Sequence, residues 1–224
     1  MHKINRNTIT PIRFSLALLA SFLCSTMVFA TEGERHISLQ QDVASAELIR
    51  LSVPAGEVDI VGVAGTNLVA EVTAVCEDEE REACLDLLKE LGWAQKTDKT
   101  ADFLLIPDGA SHFNNVKIKV KIGVPQDKPL QVNVSAGELT ISDTSGCLKA
   151  ELGAGQIDIT LKQSQLAAVA LAAKVGDVKL INPQGESTSG QRSLLVGASL
   201  EWQGSGKCHT EANVLAGEAK LTLK

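Results

Sequence analysis

Four cysteines lie beyond residue 30: Cys76, Cys84, Cys147 and Cys208. In an exported chain, thiols in that number are expected to pair. Cys76 and Cys84 have seven residues between them and straddle the turn into a predicted helix, so they are the first candidate disulfide. Cys147 and Cys208 are harder to place. Each follows a glycine (Gly137, Gly197) by about ten residues, which puts both at the same corner of a repeat. If the repeats stack in chain order, however, the two cysteines are three coils apart, or roughly 14 Å at the ~4.8 Å spacing of strands. A disulfide needs Cα atoms within about 7 Å. Either the coil count is wrong, or one cysteine swings on a loop, or both stay unpaired. No C-x-x-C pair marks a redox centre, so structural use is expected.

Carboxylates are the next candidates. Glu57, Glu138, Asp177 and Glu218 each follow a glycine of the same short phrase. Stacked coils could align Glu138 with Asp177 as a ladder for a hard cation, and Asp158 could stack near Asp177. A solvated acidic face is the expected reading. His36, His112 and His209 are isolated, and Cys208-His209 are adjacent, which is awkward for ligating one metal. Gly185–Gly190 misses the spacing of a nucleophile elbow. Gly204-Ser205-Gly206 and Pro107-Asp108-Gly109 have turn chemistry. The sequence thus nominates no catalytic, cofactor-binding or metal-ligating residue.

The elements that carry these residues come from one repeated phrase: small, Gly, a residue that is usually polar, then apolar–polar–apolar. It occurs as Ala136-Gly137-Glu138-Leu139-Thr140-Ile141, Ala154-Gly155-Gln156-Ile157-Asp158-Ile159, Val175-Gly176-Asp177-Val178-Lys179-Leu180 and Ala216-Gly217-Glu218-Ala219-Lys220-Leu221. A degenerate copy sits at Val196-Gly197-Ala198-Ser199-Leu200, and an outlying one at Ala55-Gly56-Glu57-Val58-Asp59-Ile60. From Gly137 the glycines step by 18, 21, 21 and 20 residues. A fixed period near 20 predicts stacked coils, with each glycine at a sharp corner between two short strands. The expected fold is all-β: a single-stranded parallel β-helix, or solenoid, over 130–224, with an antiparallel β-sandwich as the alternative. Residues 46–129 form an N-terminal β region. Within it, Cys84, Leu87, Leu88 and Leu91 are spaced as one helical face, predicting a helical insert over 79–91 with Gly92 as its C-cap. Val116–Ile122 alternates strongly, and its three lysines on one face suit a sheet edge. Residues 31–45 are expected to be a flexible leader.

The first thirty residues differ from all of this. Lys3, Arg6 and Arg13 precede an apolar run of about 16 residues, and Val28-Phe29-Ala30 offers small residues at both positions a signal peptidase reads. That predicts a secretory signal cleaved after Ala30 and a periplasmic, secreted or surface location, with no membrane span after cleavage. The remaining 194 residues carry 18 basic and 27 acidic side chains, so no nucleic-acid partner is expected. They hold only Trp93, Trp202, Phe103 and Phe113 as aromatics, few for gripping a sugar chain.

The run from Val116 through Val124-Pro125, the recurring phrase and the earlier Val53-Pro54-Ala55-Gly56-Glu57-Val58-Asp59-Ile60 together resemble the bacterial putative-adhesin β-solenoid domains of unknown function, over about residues 46–224. The resemblance implies an envelope or surface β-helix and brings no catalytic residues. The expected function is a non-enzymatic binding or structural module of the cell envelope, with an unknown envelope protein or surface ligand as partner. An envelope signalling or stress accessory is the alternative, and a polysaccharide-active enzyme a weaker one. A strand ending next to Lys224 would leave the terminal coil with an open edge, which predicts a homodimer through that coil.

Overall fold

The computed structural model describes residues 28–31, 33–77, 81–109, 113, 115–144, 147–193 and 196–224. In chain order the strands are β1 (Val28–Thr31), β2 (Glu34–Asp42), β3 (Leu48–Val63) and β4 (Asn67–Cys76), followed by helix α1 (Arg81–Glu90). Then come β5 (Gly92–Thr97), β6 (Thr100–Ile106), β7 (Val116–Pro125), β8 (Leu130–Ser142), β9 (Leu148–Leu161) and β10 (Leu166–Ile181). The chain closes with β11 (Ser187–Ser189), β12 (Gln191–Ser193), β13 (Gly197–Gln203) and β14 (Cys208–Leu223). The protein is all-β apart from the helix, and its sheet mixes parallel and antiparallel pairs.

Every copy of the phrase except the degenerate one at 196–200 lies inside one continuous strand of 13 to 16 residues, rather than between two short ones. The burial pattern explains how so long a strand serves one core. In β3 the buried aliphatic side chains are Ile49, Leu51 and Val53, then Val58 and Ile60. The step from Val53 to Val58 is odd, so on a straight strand the two sets would face opposite sides. All of them belong to one hydrophobic cluster. The strand must therefore bend between them, and it does so at Gly56, whose φ is 124°. Gly137, Gly155, Gly176 and Gly217 repeat the device at φ 127°, 131°, 129° and 140°.

The bent strands pair in parallel in the order β3-β8-β9-β14-β10. Gly56, Gly137, Gly155, Gly217 and Gly176 are direct register partners in that order. They form one row along the corner. A methyl group on Gly155 would overlap the carbonyl oxygen of Gly137, and the same overlap recurs from Gly217 to Gly155 and from Gly176 to Gly217. Glycine is thus required here twice, by backbone conformation and by close approach of the next strand. Core rows run beside it, such as Val58–Leu139–Ile157–Ala219–Val178 and Ile60–Ile141–Ile159–Leu221–Leu180.

At each end of the stack the bend lets the two halves of a strand take different partners. The first half of β3 pairs with β6 and the second with β7. The first half of β10 pairs with β13 and the second with β11. Beyond β7 the sheet continues antiparallel through β4, β2 and β1, and β5 pairs with β6. The helix buries Cys84, Leu87, Leu88 and Leu91 as its spacing predicts. Its acid and base fall in the first and last turns, as Glu82 and Lys89. The predicted start at Glu79 and Glu80 lies outside the described residues.

Several expectations need correction. The segment 31–45 is not a flexible leader: Glu34–Asp42 pairs along its whole length with β4 and buries Ile37 and Leu39, while Val43 and Ala46 complete the core. Gly92 opens a strand instead of capping the helix. The lysine-bearing strand β7 lies between β4 and β3, not at an edge; Lys117 and Lys119 face water and pair with Glu77 and Glu57. The parallel pairing of β3 with β8 crosses residue 129, so one sheet runs through both predicted regions. Gly197 is outside the glycine row, at the start of a strand antiparallel to β10. The repeats do not stack in chain order, because the last strand sits between β9 and β10. That strand therefore has partners on both sides and no open edge for the predicted dimer. Parallel pairing of the repeats also departs from the antiparallel sandwich alternative.

Candidate functional site

The corner that glycine creates also positions the acidic residues. The residue after each row glycine points away from the core, giving a second row, Glu57–Glu138–Gln156–Glu218–Asp177. Four of the row glycines, from Gly137 to Gly176, and the side chains of Glu138, Gln156, Glu218 and Asp177 line a shallow groove of ≈ 580 Å³. With the backbone bare at the glycines, the groove floor is peptide and its rim is carboxylate and amide.

The stacking order decides what this rim can do. Glu138 and Asp177 are not neighbours, since Gln156 and Glu218 stand between them. The carboxylates at the ends of the row are neutralised by partners from outside it. Lys119 Nζ lies 2.8 Å from Glu57, and an Arg192 guanidinium nitrogen 2.6 Å from Asp177. The hydrogen bond from Lys119 to Glu57 raises the lysine above its usual pKa; the Glu57 charge adds to this, and Glu138 contributes less. The Gln156 side-chain amide donates to Asp158 at 2.6 Å. Asp158 belongs to a different row from Asp177 and forms an ion pair with Lys220. The predicted cation ladder is therefore broken up by Gln156 of β9 and Glu218 of β14, and the Asp158–Asp177 stack by Lys220 of β14. Among the described residues, no group of three or more His, Cys, Asp or Glu side chains is placed to hold a metal ion.

The other nominated residues scatter. His36 lies on β2, with Nδ1 3.1 Å from the Thr73 hydroxyl and Nε2 2.9 Å from Glu34. His209 is exposed at the start of β14, and His112 lies outside the described residues. Gly204 and Gly206 sit in a turn whose amides donate to Ala167 and Leu166. That turn, with Trp202, Gln163 and Lys224, borders a second open cleft of ≈ 600 Å³. The periodicity gave no hint of this cleft, because it is built by loops from three separate strands.

The two cysteine pairs have different outcomes. Cys76 and Cys84 are joined by a disulfide, with Cα atoms 5.9 Å apart. It fixes the end of β4 to the helix. Cys147 and Cys208, expected three coils apart, have Sγ atoms 2.7 Å from each other. The corner assignment holds, for both residues lie at the start of a bent strand, β9 and β14. The distance was misjudged because β14 is the immediate neighbour of β9. The Cys208 thiol is pushed up to about 11, first by burial and then by its hydrogen bond to Cys147 and that residue's charge.

No protein-family model matches the sequence, and no curated protein matches it. Among solved structures the chain is similar to a putative cell adhesion protein from Clostridium sporogenes, at 16% identity and a TM-score of 0.48, covering 85% of this chain and 100% of that one. It is also similar to putative adhesins from Bacteroides fragilis, at 11% identity and a TM-score of 0.22, covering 84% and 97% of the two chains, and from Parabacteroides merdae, at 12% identity and 0.24, covering 83% and 80%.

Proposed function

We propose that the protein is a non-enzymatic, solenoid-like scaffold of the cell envelope, exported by its N-terminal signal and used as a binding or structural module. The observation that carries this reading is how the charges in and beside the corner row are used. Glu57, Asp177 and Asp158 are each held by a cation from a neighbouring strand or loop. Side chains so paired are engaged with cations along the stack rather than presented unpaired to a substrate. What the stack presents instead is a regular surface: a groove of constant floor whose rim changes one side chain per strand. Such a surface suits an extended ligand or a partner strand.

The test is fractionation of the native host, with intact mass on the recovered chain, followed by incubation of the purified protein with isolated envelope polysaccharide. The expected result is a chain beginning at Thr31, outside the cytoplasmic membrane, that releases no new reducing ends. A cytoplasmic chain keeping Met1 overturns the location. Sugar turnover lost in Asp158→Ala overturns the scaffold reading.

A further inference from the structure

We propose that Cys147 and Cys208 are a second disulfide site, closed by exchange with a low-molecular-weight or protein disulfide, and that the bond locks the C-terminal strand into its slot between β9 and β10.

The geometry argues for this in three ways. The sulfurs lie 2.7 Å apart, against about 2.05 Å in a formed bond, so closure needs little movement. Both side chains are half-buried, which leaves them open to an oxidant. And the same chain already holds the Cys76–Cys84 bond, the mark of an oxidising compartment.

The slot gives the bond its purpose. β9 and β10 are joined by a short turn over 162–165, yet they stand one strand apart, and β14 fills the space. The far end of β14 is held by backbone bonds: Lys224 donates to the Leu161 carbonyl and accepts from the Gln163 amide. The near end starts at Cys208, the register partner of Leu166 in β10, where the pairing is interrupted by a bulge. Cys147 is anchored on the other side, its carbonyl accepting from Leu130 of β8. A bond between the two sulfurs therefore ties four neighbouring strands together where the ladder is weakest.

The exchange is balanced. The Cys147 thiolate attacks one sulfur of the oxidant, whose S–S bond breaks, and the departing thiolate takes the electron pair. Cys208, deprotonated, then attacks Cys147 Sγ and expels the second oxidant thiolate. Two cysteine thiols are oxidised, one disulfide is reduced to two thiols, and the two protons go to those thiols. Burial keeps Cys208 protonated in the reduced protein. Once Cys147 is capped, its hydrogen bond and charge no longer oppose ionisation of Cys208, which suits Cys208 to the second step.

The experiment begins by trapping the envelope-purified chain with iodoacetamide and mapping unreduced peptides by mass spectrometry. The expected species is a Cys147–Cys208 cross-linked peptide beside Cys76–Cys84, with no alkylated cysteine. Alkylated Cys147 and Cys208 in protein that retains Cys76–Cys84 overturns the proposal. Hydrogen exchange then tests the lock. In C147S/C208S the amides of β14 near Thr210 should exchange at least tenfold faster, with those of β4 unchanged. Unchanged β14 exchange overturns the locking role. If that variant does not fold, oxidised and glutathione-reduced wild type give the same comparison. The scaffold reading does not depend on this bond, so the two fail separately.

Discussion

The five-strand parallel stack and the antiparallel flank of β2, β4 and β7 belong to one sheet and share one core, yet they fix their register by different means. In the flank, register follows from strict alternation. β4 buries Leu68, Ala70, Val72 and Ala74 and exposes the residues between most of them. A one-residue slip would expose the whole set. In the stack, alternation cannot suffice, because each strand changes its buried parity at the corner. Register there is set by glycine, since only a glycine facing a glycine lets two bent backbones approach. The lesson is that a repeat can specify where strands bend and still leave open which strand lies next to which.

The sharpest way to break this comparison is Gly155→Ala. The new methyl must overlap the Gly137 carbonyl at a φ of 131°, so a loss of about 4 kcal/mol or more is expected, a fall in Tm on the order of 10 °C. Gly65→Ala is its counterpart beside the flank. There φ is 111° but no atom lies within 4 Å, and about 1 kcal/mol should be lost. Equal losses at the two sites in thermal melts would remove the special role of the row.

Core truncation should give a smaller and more even effect. Ile141→Ala in the stack and Leu68→Ala in the flank each remove a fully buried side chain and should each cost about 3 kcal/mol. Because the core is continuous, both variants should melt in a single transition; two separate transitions in calorimetry would make the flank a domain of its own. The Cys76–Cys84 link closes a loop of only 8 residues, so its loss in C76S/C84S should cost roughly 2.5 kcal/mol at most. The 61-residue loop of the Cys147–Cys208 pair predicts a greater loss, roughly 4 kcal/mol, for C147S/C208S.

The smallest effect is one of pH. In the reduced protein Cys208 ionises near 11, against an ordinary value of 9.0. The unfolded chain thus releases this proton first, and stability should decline as pH rises from about 9 to about 11, with no contribution below. Denaturant melts of C208S should lack that decline. Removing the exposed ion pair with Lys119→Ala should leave the melting temperature unchanged within error.

Much of the architecture was legible in the sequence. The phrase around Gly56, Gly137, Gly155, Gly176 and Gly217 marks every bend, because a bend of this kind demands both glycine and a change of apolar parity. The Cys84–Leu91 spacing likewise marks the buried face of the helix. What the sequence hid was adjacency. Nothing in Ala216–Leu221 distinguishes a strand that follows Gly176 in the stack from one that slips in ahead of it. Chain order supplied the wrong neighbour, and with it the wrong distance for Cys147 and Cys208. Gly197 was misplaced for a related reason: it shares the local phrase but not the apolar spacing, and Leu200 and Trp202, one residue out of step, were the signal that it pairs differently. In the leader, Ile37 and Leu39 carried too short an alternation to reveal a strand that tertiary pairing with β4 completes.

The central claim is the stacking order, and backbone NMR of the intact, unsubstituted chain tests it most directly. Cross-strand nuclear Overhauser contacts should join Gly155 to Gly217 and Gly217 to Gly176, with none between Gly155 and Gly176. A direct Gly155–Gly176 contact, with Gly217 outside them, would restore stacking in chain order and contradict the account.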